Sequence, residues 1–249
     1  MRTPLPRPLP PGPPPVVIHD LHKAYRRGAT STPTLCGVEL TVAAGECVFL
    51  VGPSGCGKST LLSILGCILT PDRGTVQVLG HDLSRLDEIS RSALRRNHIG
   101  FVFQRFQLIR GLSAIENVCV PLILRGESQR VARQRASRLL ADVGLSDKAG
   151  SNPAELSTGQ CQRVALARAL VGDPELILAD KPTAALDATA GQEVMQLLRT
   201  LTTGEGKTAV VVTHDPRILD FADRVLHLDN GGISENDAST LASAAGGWR

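Results

Sequence analysis

The 249 residues contain no apolar run of about 18 residues, the length a bilayer-spanning helix requires, so the chain is not expected to cross a membrane by itself. Arg2 and Arg7 are followed by no continuous apolar segment, so no secretory signal is expected. Six cysteines occur, at 36, 47, 56, 67, 119 and 161, but no two form a CxxC pair. They read as small buried residues in a reducing cytoplasm, with Cys56 set apart only by its position. Neither sign of charge dominates. The 27 basic and 24 acidic side chains leave +3, mild and evenly spread, which does not call for nucleic acid as a partner. No internal repeat is visible.

What is present is ordinary globular composition, 42% hydrophobic and 20% charged, at a length that suits one large α/β domain or a core with a subordinate lobe. Proline is the exception: eight of the 16 lie in the first 15 residues. That stretch can form neither a helix nor an internal strand and is expected to be an extended, disordered tail. The folded domain is expected over 16–232, with a flexible tail over 233–249.

Short apolar runs then alternate with helical patterns, as in a largely parallel sheet. Strands are predicted at 16–21, 38–42, 46–51, 75–79, 98–103, 176–179, 208–213 and 224–228, and an apolar helix from Lys58 to about Leu69. Between Ile115 and Val143 no strong strand occurs, and residues 129–143 place basic side chains on one face and Val131, Leu139, Leu140 and Val143 on another. This is read as a helical insertion, about 105–160, within the α/β core. Residues from Ser234 onward are small and polar and are expected to be loosely ordered.

Gly52-Pro53-Ser54-Gly55-Cys56-Gly57-Lys58-Ser59-Thr60 fits the phosphate-loop pattern GxxxxGK(S/T), preceded by the apolar ECVFLV and followed by STLLSILGCIL. The motif needs that strand–turn–helix context. Its glycines let successive N–H groups face a phosphate, and the helix N-terminus adds positive potential. Lys58 would reach the β- and γ-phosphates of a nucleotide, and the Ser59 hydroxyl would coordinate Mg2+. Cys56 is either a nucleophilic thiol at a helix N-terminus or a space-filler.

Further along, Leu156-Ser157-Thr158-Gly159-Gln160 opens a helix, and the strand Leu176-Ile-Leu-Ala-Asp180 ends in a carboxylate suited to magnesium. Asp187 follows, the strand over 209–213 ends at His214-Asp215, and Gln104 follows the strand at 99–103. With this ordered series, the chain resembles the ATP-binding subunit of ABC transporters over roughly 16–232. The resemblance implies a P-loop NTPase core of mixed, largely parallel sheet, an inserted helical subdomain and an N-terminal antiparallel β region. It implies that Tyr25 stacks on adenine, and that Gln104 contacts magnesium and the attacking water. Ser157, Thr158, Gly159 and Gln160 form the signature that meets the γ-phosphate of the opposite protomer in a head-to-tail dimer. Asp187 would lie at that interface, and His214 resembles the switch histidine.

Two segments refine it: FQRFQLI from Phe103, and ENVCVPLILRG from Glu116, are similar to the macrolide-export and lipoprotein-release ATPases. The stretch from Thr213 to Arg224 is similar to heterocyst glycolipid-export ATPases. That group implies an integral membrane permease on a separate chain, whose cytoplasmic helices the 116–126 stretch receives. It also implies a second ATP-binding subunit, a cytoplasmic location at the inner membrane face, and no nucleic acid.

One position breaks the pattern. Where the family places a glutamate after the magnesium aspartate, this chain has Lys181. Lysine carries donors and no acceptor, so hydrolysis is expected to fall by about 10²–10⁴ while ATP binding survives. A degenerate half-site paired with an intact ATPase, a coding change, and slow hydrolysis with other groups positioning the water all accommodate it. Thr158, in place of the first signature glycine, is a lesser departure that would crowd the helix start. A non-transport ATP-driven clamp and a non-hydrolysing regulatory module are the alternatives; the stretch between Lys58 and Ser157 is too short for a clamp's coiled coil.

Overall fold

The alternation of apolar runs and helices resolves into two sheets and a helical lobe in the computed structural model, which describes residues 13–27, 30–203 and 206–235. The first sheet is antiparallel, in the order β2-β1-β4-β5, built from β1 (Val16–Arg27), β2 (Thr30–Val42), β4 (Arg73–Val78) and β5 (His81–Asp82). The second runs β10-β9-β3-β8-β7-β6: β3 (Cys47–Val51), β6 (Ile99–Val102), β7 (Leu176–Asp180), β8 (Thr208–Val212), β9 (Arg224–Asp229) and β10 (Gly232–Glu235). All neighbours in it are parallel except β9 and β10. The central strands β3, β7 and β8 are almost wholly buried, which explains why they read as unbroken apolar runs rather than alternating ones.

Between the sheets, α1 (Lys58–Leu65) packs Leu61, Leu62, Ile64 and Leu65 against Ile18, Leu21 and Leu50. Each such fully buried side chain contributes about 1.5–3 kcal/mol over its exposed state. On the other face of the second sheet, Phe49, Ile177 and Val211 meet Leu166 of α5 (Thr158–Leu170) and Met195 of α6 (Ala188–Thr203). The lobe is a third cluster, where α3 (Ala114–Leu124) and α4 (Gln129–Asp142) pack Val118, Leu122, Ala136 and Leu140 against Val164 of α5.

Several sequence expectations are corrected. β1 and β2 extend well past the apolar segments at 16–21 and 38–42, because a hairpin pairs backbones whatever the side chains: Tyr25 faces Thr32 and His22 faces Cys36. α1 stops at Leu65 rather than near Leu69, since Gly66 caps it and Cys67 turns to φ 57. α2 (Glu88–His98) had no apolar stripe to announce it; only Leu94 is buried, and Asp87 caps its start. The looseness expected from Ser234 is wrong at its start, where Ser234 pairs with His227 in β10. Most of the proline-rich stretch, residues 1–12, and residues 236–249 lie outside the described part.

Cys47, Cys67, Cys119 and Cys161 are buried, and burial pushes the Cys47 thiol up to about 12 and that of Cys67 to about 11. Cys36 corrects the pattern by being exposed, and Cys56 is half-buried. Among the described residues no helix is long and apolar enough to cross a membrane.

Candidate functional site at the carboxyl edge of the central sheet

Parallel strands release their chains at one edge, and that topology gathers the motifs. Leu50, Val212 and Asp180 lie in one row across β3, β8 and β7. One residue further, the Lys181 amide donates to the Val212 carbonyl at 2.8 Å and the Thr213 amide to the Leu50 carbonyl at 3.1 Å. Gln104 leaves the same edge two residues after β6, exposed in a turn.

The loop from Gly52 to Thr60 curls between β3 and α1. Gly52, Gly55 and Gly57 have φ of 143°, 84° and 109°, values that side chains beyond glycine rarely adopt. Pro53 is half-buried, while Ser54 and Gly55 are exposed at the tip. Lys58 is 6% exposed, and its ammonium donates to the carbonyls of Gly52 at 2.8 Å and Pro53 at 2.6 Å, with the Cys56 sulfur at 3.4 Å. No carboxylate pairs with it among the described residues. A buried cation held by two carbonyl dipoles and a thiol sulfur, with no carboxylate beside it, at a helix start where N–H groups converge, is suited to an anion.

Thr60 accepts or donates a 3.2 Å hydrogen bond with the Tyr25 hydroxyl, which ties the half-exposed ring on β1 to the loop. Ser59 is exposed at the second position of α1. The buried Asp180 Oδ1 has no hydrogen-bond partner. An orphaned carboxylate oxygen beside an anion cradle fits Mg2+, which takes few protein oxygens and several from phosphate and water. Ser59, Asp180 and Gln104 are the oxygens that would hold it.

Lys181 stands at φ 47, and with His214, Thr183 and Arg217 it lines a cleft of about 240 Å3. His214 is exposed there, directly after Thr213. The segment following Lys181 is tied to the segment following His214: the Thr183 hydroxyl donates to Asp215 Oδ2 at 3.1 Å, and Arg217 grips both oxygens of Asp215 at 2.8 and 2.7 Å. The Arg217 hydrogen bonds, outweighing burial, hold the Asp215 carboxyl below its ordinary range.

The signature residues stand elsewhere. Ser157 caps α5, accepting from the Gln160 amide at 3.2 Å while its own amide donates to the Gln160 side chain at 2.9 Å. Thr158 is exposed at the first helical position, so the crowding expected there does not occur. Gly159 approaches only the Ala190 methyl, at 3.9 Å from where a Cβ would stand. Asp187 caps α6 through the Ala190 amide at 2.9 Å. No hydrogen bond among the described residues joins 157–160 to 52–60.

Two positioning residues escaped the sequence reading. Arg168 of α5 donates to the carbonyls of Phe106 and Gln107, both at 2.6 Å, and so clamps the loop after Gln104 where φ is 56° and 50°. Asn117 of α3 is fully buried and makes four bonds, accepting from the Ile109 amide and donating to the carbonyls of Ile109, Leu112 and Ser113. An amide side chain inside an apolar run was the available signal. Asn117→Ala is expected to destabilise the fold by about 2–3 kcal/mol, through unpaired backbone groups, and to loosen 105–113. Urea unfolding and amide exchange of that loop check this; unchanged exchange would remove the role.

The family described as "ABC transporter" matches residues 35–184. The macrolide export ATP-binding/permease protein MacB of Rhodopseudomonas palustris (strain BisB18) is 43% identical over 230 residues, covering 92% of this chain and 35% of that protein. MacB of Salmonella typhimurium (strain LT2) is 41% identical over 241 residues, covering 92% and 37%. The chain thus spans about a third of the length of these curated relatives. Among solved structures, the dimeric cassette MJ0796 in a post-hydrolysis state bound to ADP and Pi superposes with a TM-score of 0.84 at 42% identity, covering 89% of this chain and 97% of that one. A second dimeric structure of MJ0796, a bacterial ABC transporter cassette, gives 0.83 at the same identity, with 88% and 97% covered. With the loop, the edge geometry and the matched length in agreement, this chain belongs to the ABC transporter family, as its ATP-binding cassette.

Proposed function

We propose that the chain is the ATP-binding subunit of an export system, dimerising on ATP to drive an integral membrane permease carried on a separate chain, with hydrolysis depressed by Lys181. The cassette is assigned to 16–232, with β10 carrying its last strand on to Glu235, and its helical subdomain to about 105–160, placed peripherally at the inner membrane face. The observation that carries the reading is the pairing of buried Lys58, held only by loop carbonyls and Cys56, with the orphaned Asp180 oxygen at the same sheet edge.

In this reading the loop amides and Lys58 bind the phosphates, and the Tyr25 ring meets adenine. Bound magnesium would neutralise phosphate charge; Ser59, Asp180 and Gln104 orient it. Ser157, Gly159 and the flanking Thr158 and Gln160 lie away from their own protomer's loop, which favours a site completed by a second subunit's signature. Asp187 would line that junction. The exposed Ile123 and Leu124 of α3 support the assignment of 116–126 to the permease contact.

Lys181 also favours a second reading, a module that binds ATP and does not turn it over. Either way Mg-ATP should bind. Lys58→Ala is expected to weaken it roughly 10–100-fold, the value of a charge-assisted hydrogen bond to phosphate. Fluorescent-nucleotide titration with sedimentation to follow ATP-induced dimers checks both. Unchanged affinity in the variant would sink the assignment of the loop.

A further inference from the structure

The net charge of +3 is small but, contrary to the even spread expected from composition, it is sharply divided. Residues 91–140 contain ten arginines, no lysine or aspartate, and only Glu116 and Glu127 as acids, a balance of +8 that leaves −5 for the remainder. The fold collects these arginines on α2, the loop after β6, and the α3–α4 pair. Three are engaged: Arg91 with Glu88, Arg95 with the Cys67 carbonyl, and Arg125 with the carbonyls of Arg96, Asn97 and Gly172. Arg96, Arg105, Arg110, Arg130, Arg133, Arg135 and Arg138 make no side-chain hydrogen bond or ion pair that is seen among the described residues.

α4 concentrates the effect. Its inner face buries Ala132, Ala136 and Leu140, and its outer face exposes Arg130, Arg133, Arg135 and Arg138 within three turns. Its sole acid is Asp142, at the last position. The arginines border α3: Glu116 is held below its ordinary range first by Ser113 and then also by Arg133, and Arg125 is lowered first by burial and then by Arg135 and Arg96. Ile123 and Leu124 lie exposed at the end of that same helix. Four like charges on one helix repel and carry a solvation cost to bring together, and guanidinium forks match phosphate oxygens bidentately.

We propose that the outer face of α4 is an anionic-lipid contact, its four arginines meeting phospholipid headgroups beside the α3 surface. The placement rests on the peripheral location proposed above, because a permease's helices end in the headgroup layer, so the surface flanking its docking face meets lipid phosphates. Ile123 and Leu124, assigned above to the permease contact, set a membrane-embedded partner beside these arginines, which favours a membrane boundary over a nucleic acid or a free acidic peptide.

The test is flotation of the full chain with vesicles of phosphatidylglycerol mixed with phosphatidylcholine, against phosphatidylcholine alone, with no permease present. Binding should occur only to the anionic vesicles and fall as salt rises. Each surface arginine contributes about 5-fold, so Arg130→Gln, Arg133→Gln, Arg135→Gln and Arg138→Gln together should cost roughly 100-fold or more. The four Arg→Lys changes should retain most of it. Gln and Lys have helix propensities close to that of Arg, and Mg-ATP titration confirms that each variant is folded. Equal binding to neutral vesicles, unchanged binding by the Gln variant, or binding to duplex nucleic acid or polyglutamate without vesicle binding would overturn the proposal. Loss of vesicle binding with ATP binding intact separates its failure from that of the nucleotide site.

Discussion

Lys181→Glu should raise ATP turnover, measured with the permease, by about 10²–10⁴, the contribution of a positioned general base. Lys181 lies one residue beyond Asp180, in the cleft it shares with His214, so a carboxylate there stands beside the reacting phosphate in the proposed site. The backbone already holds a non-glycine residue at φ 47, anchored by the hydrogen bond its amide donates to the Val212 carbonyl, so glutamate takes the position without new strain. Lysine in the same place offers three donors and no acceptor, which favours phosphate binding and denies the water its proton acceptor. ATP affinity should therefore change little while turnover rises. Steady-state phosphate release and nucleotide titration on the same preparations distinguish the two effects. A flat turnover would mean that loss of the base does not limit the chain, and would turn the reading toward a module that binds ATP without hydrolysing it. Because a homodimer carries Lys181 in both sites, the same comparison after mixing with an intact ATP-binding subunit reports whether one competent site suffices.

The second large effect is structural. A Cβ on Gly52 would stand 2.0 Å from the Leu228 carbonyl oxygen and 3.3 Å from the Cys56 sulfur, at φ 143°. The first partner is backbone of β9, paired in the sheet with β3, and cannot swing aside. Gly52→Ala is expected to cost more than about 4 kcal/mol, at the extreme of single substitutions, or to displace the loop and abolish nucleotide binding. Gly55, at φ 84°, has nothing within 4 Å of its Cβ position. Gly55→Ala should cost only about 1–2 kcal/mol, from the left-handed conformation alone. Urea unfolding of the two variants tests the difference directly. If they unfold together, the approach of Leu228 is not rigid and the loop is not held by the sheet beneath it.

Much of the site was legible because its pieces are local. Residues 52–60 need only be contiguous for their spacing to report a phosphate loop, and the apolar strand before Lys58 supplied the context. β3, β7 and β8 were plain because both faces are buried. Elements held by distant partners were not plain. α2 buries one apolar residue and is defined by its cap and its packing on β6, neither of which leaves a periodic trace. The polar half of the β1–β2 hairpin is held by backbone pairing that side-chain patterns do not encode. Arg168 gave no warning, since its partners are carbonyls 61 and 62 residues away. Asp215 is adjacent to His214 in sequence, but its partners Thr183 and Arg217 make it the tie between the two segments that line the cleft.

The order of motifs along the chain, and the lysine that interrupts it, were decided by the sequence, because each motif is a short run whose chemistry is carried by its own residues. The tertiary structure decided which of them meet. Parallel pairing of β3, β8, β7 and β6 brings the loop, Asp180, Lys181, His214 and Gln104 to one edge, while Ser157 and Gly159 open α5 with no hydrogen bond to the loop among the described residues. It also decided that Cys36 faces solvent and that Arg130, Arg133, Arg135 and Arg138 share the exposed face of α4. Proximity across a sheet depends on strand register and burial, and those come from the whole chain packing at once.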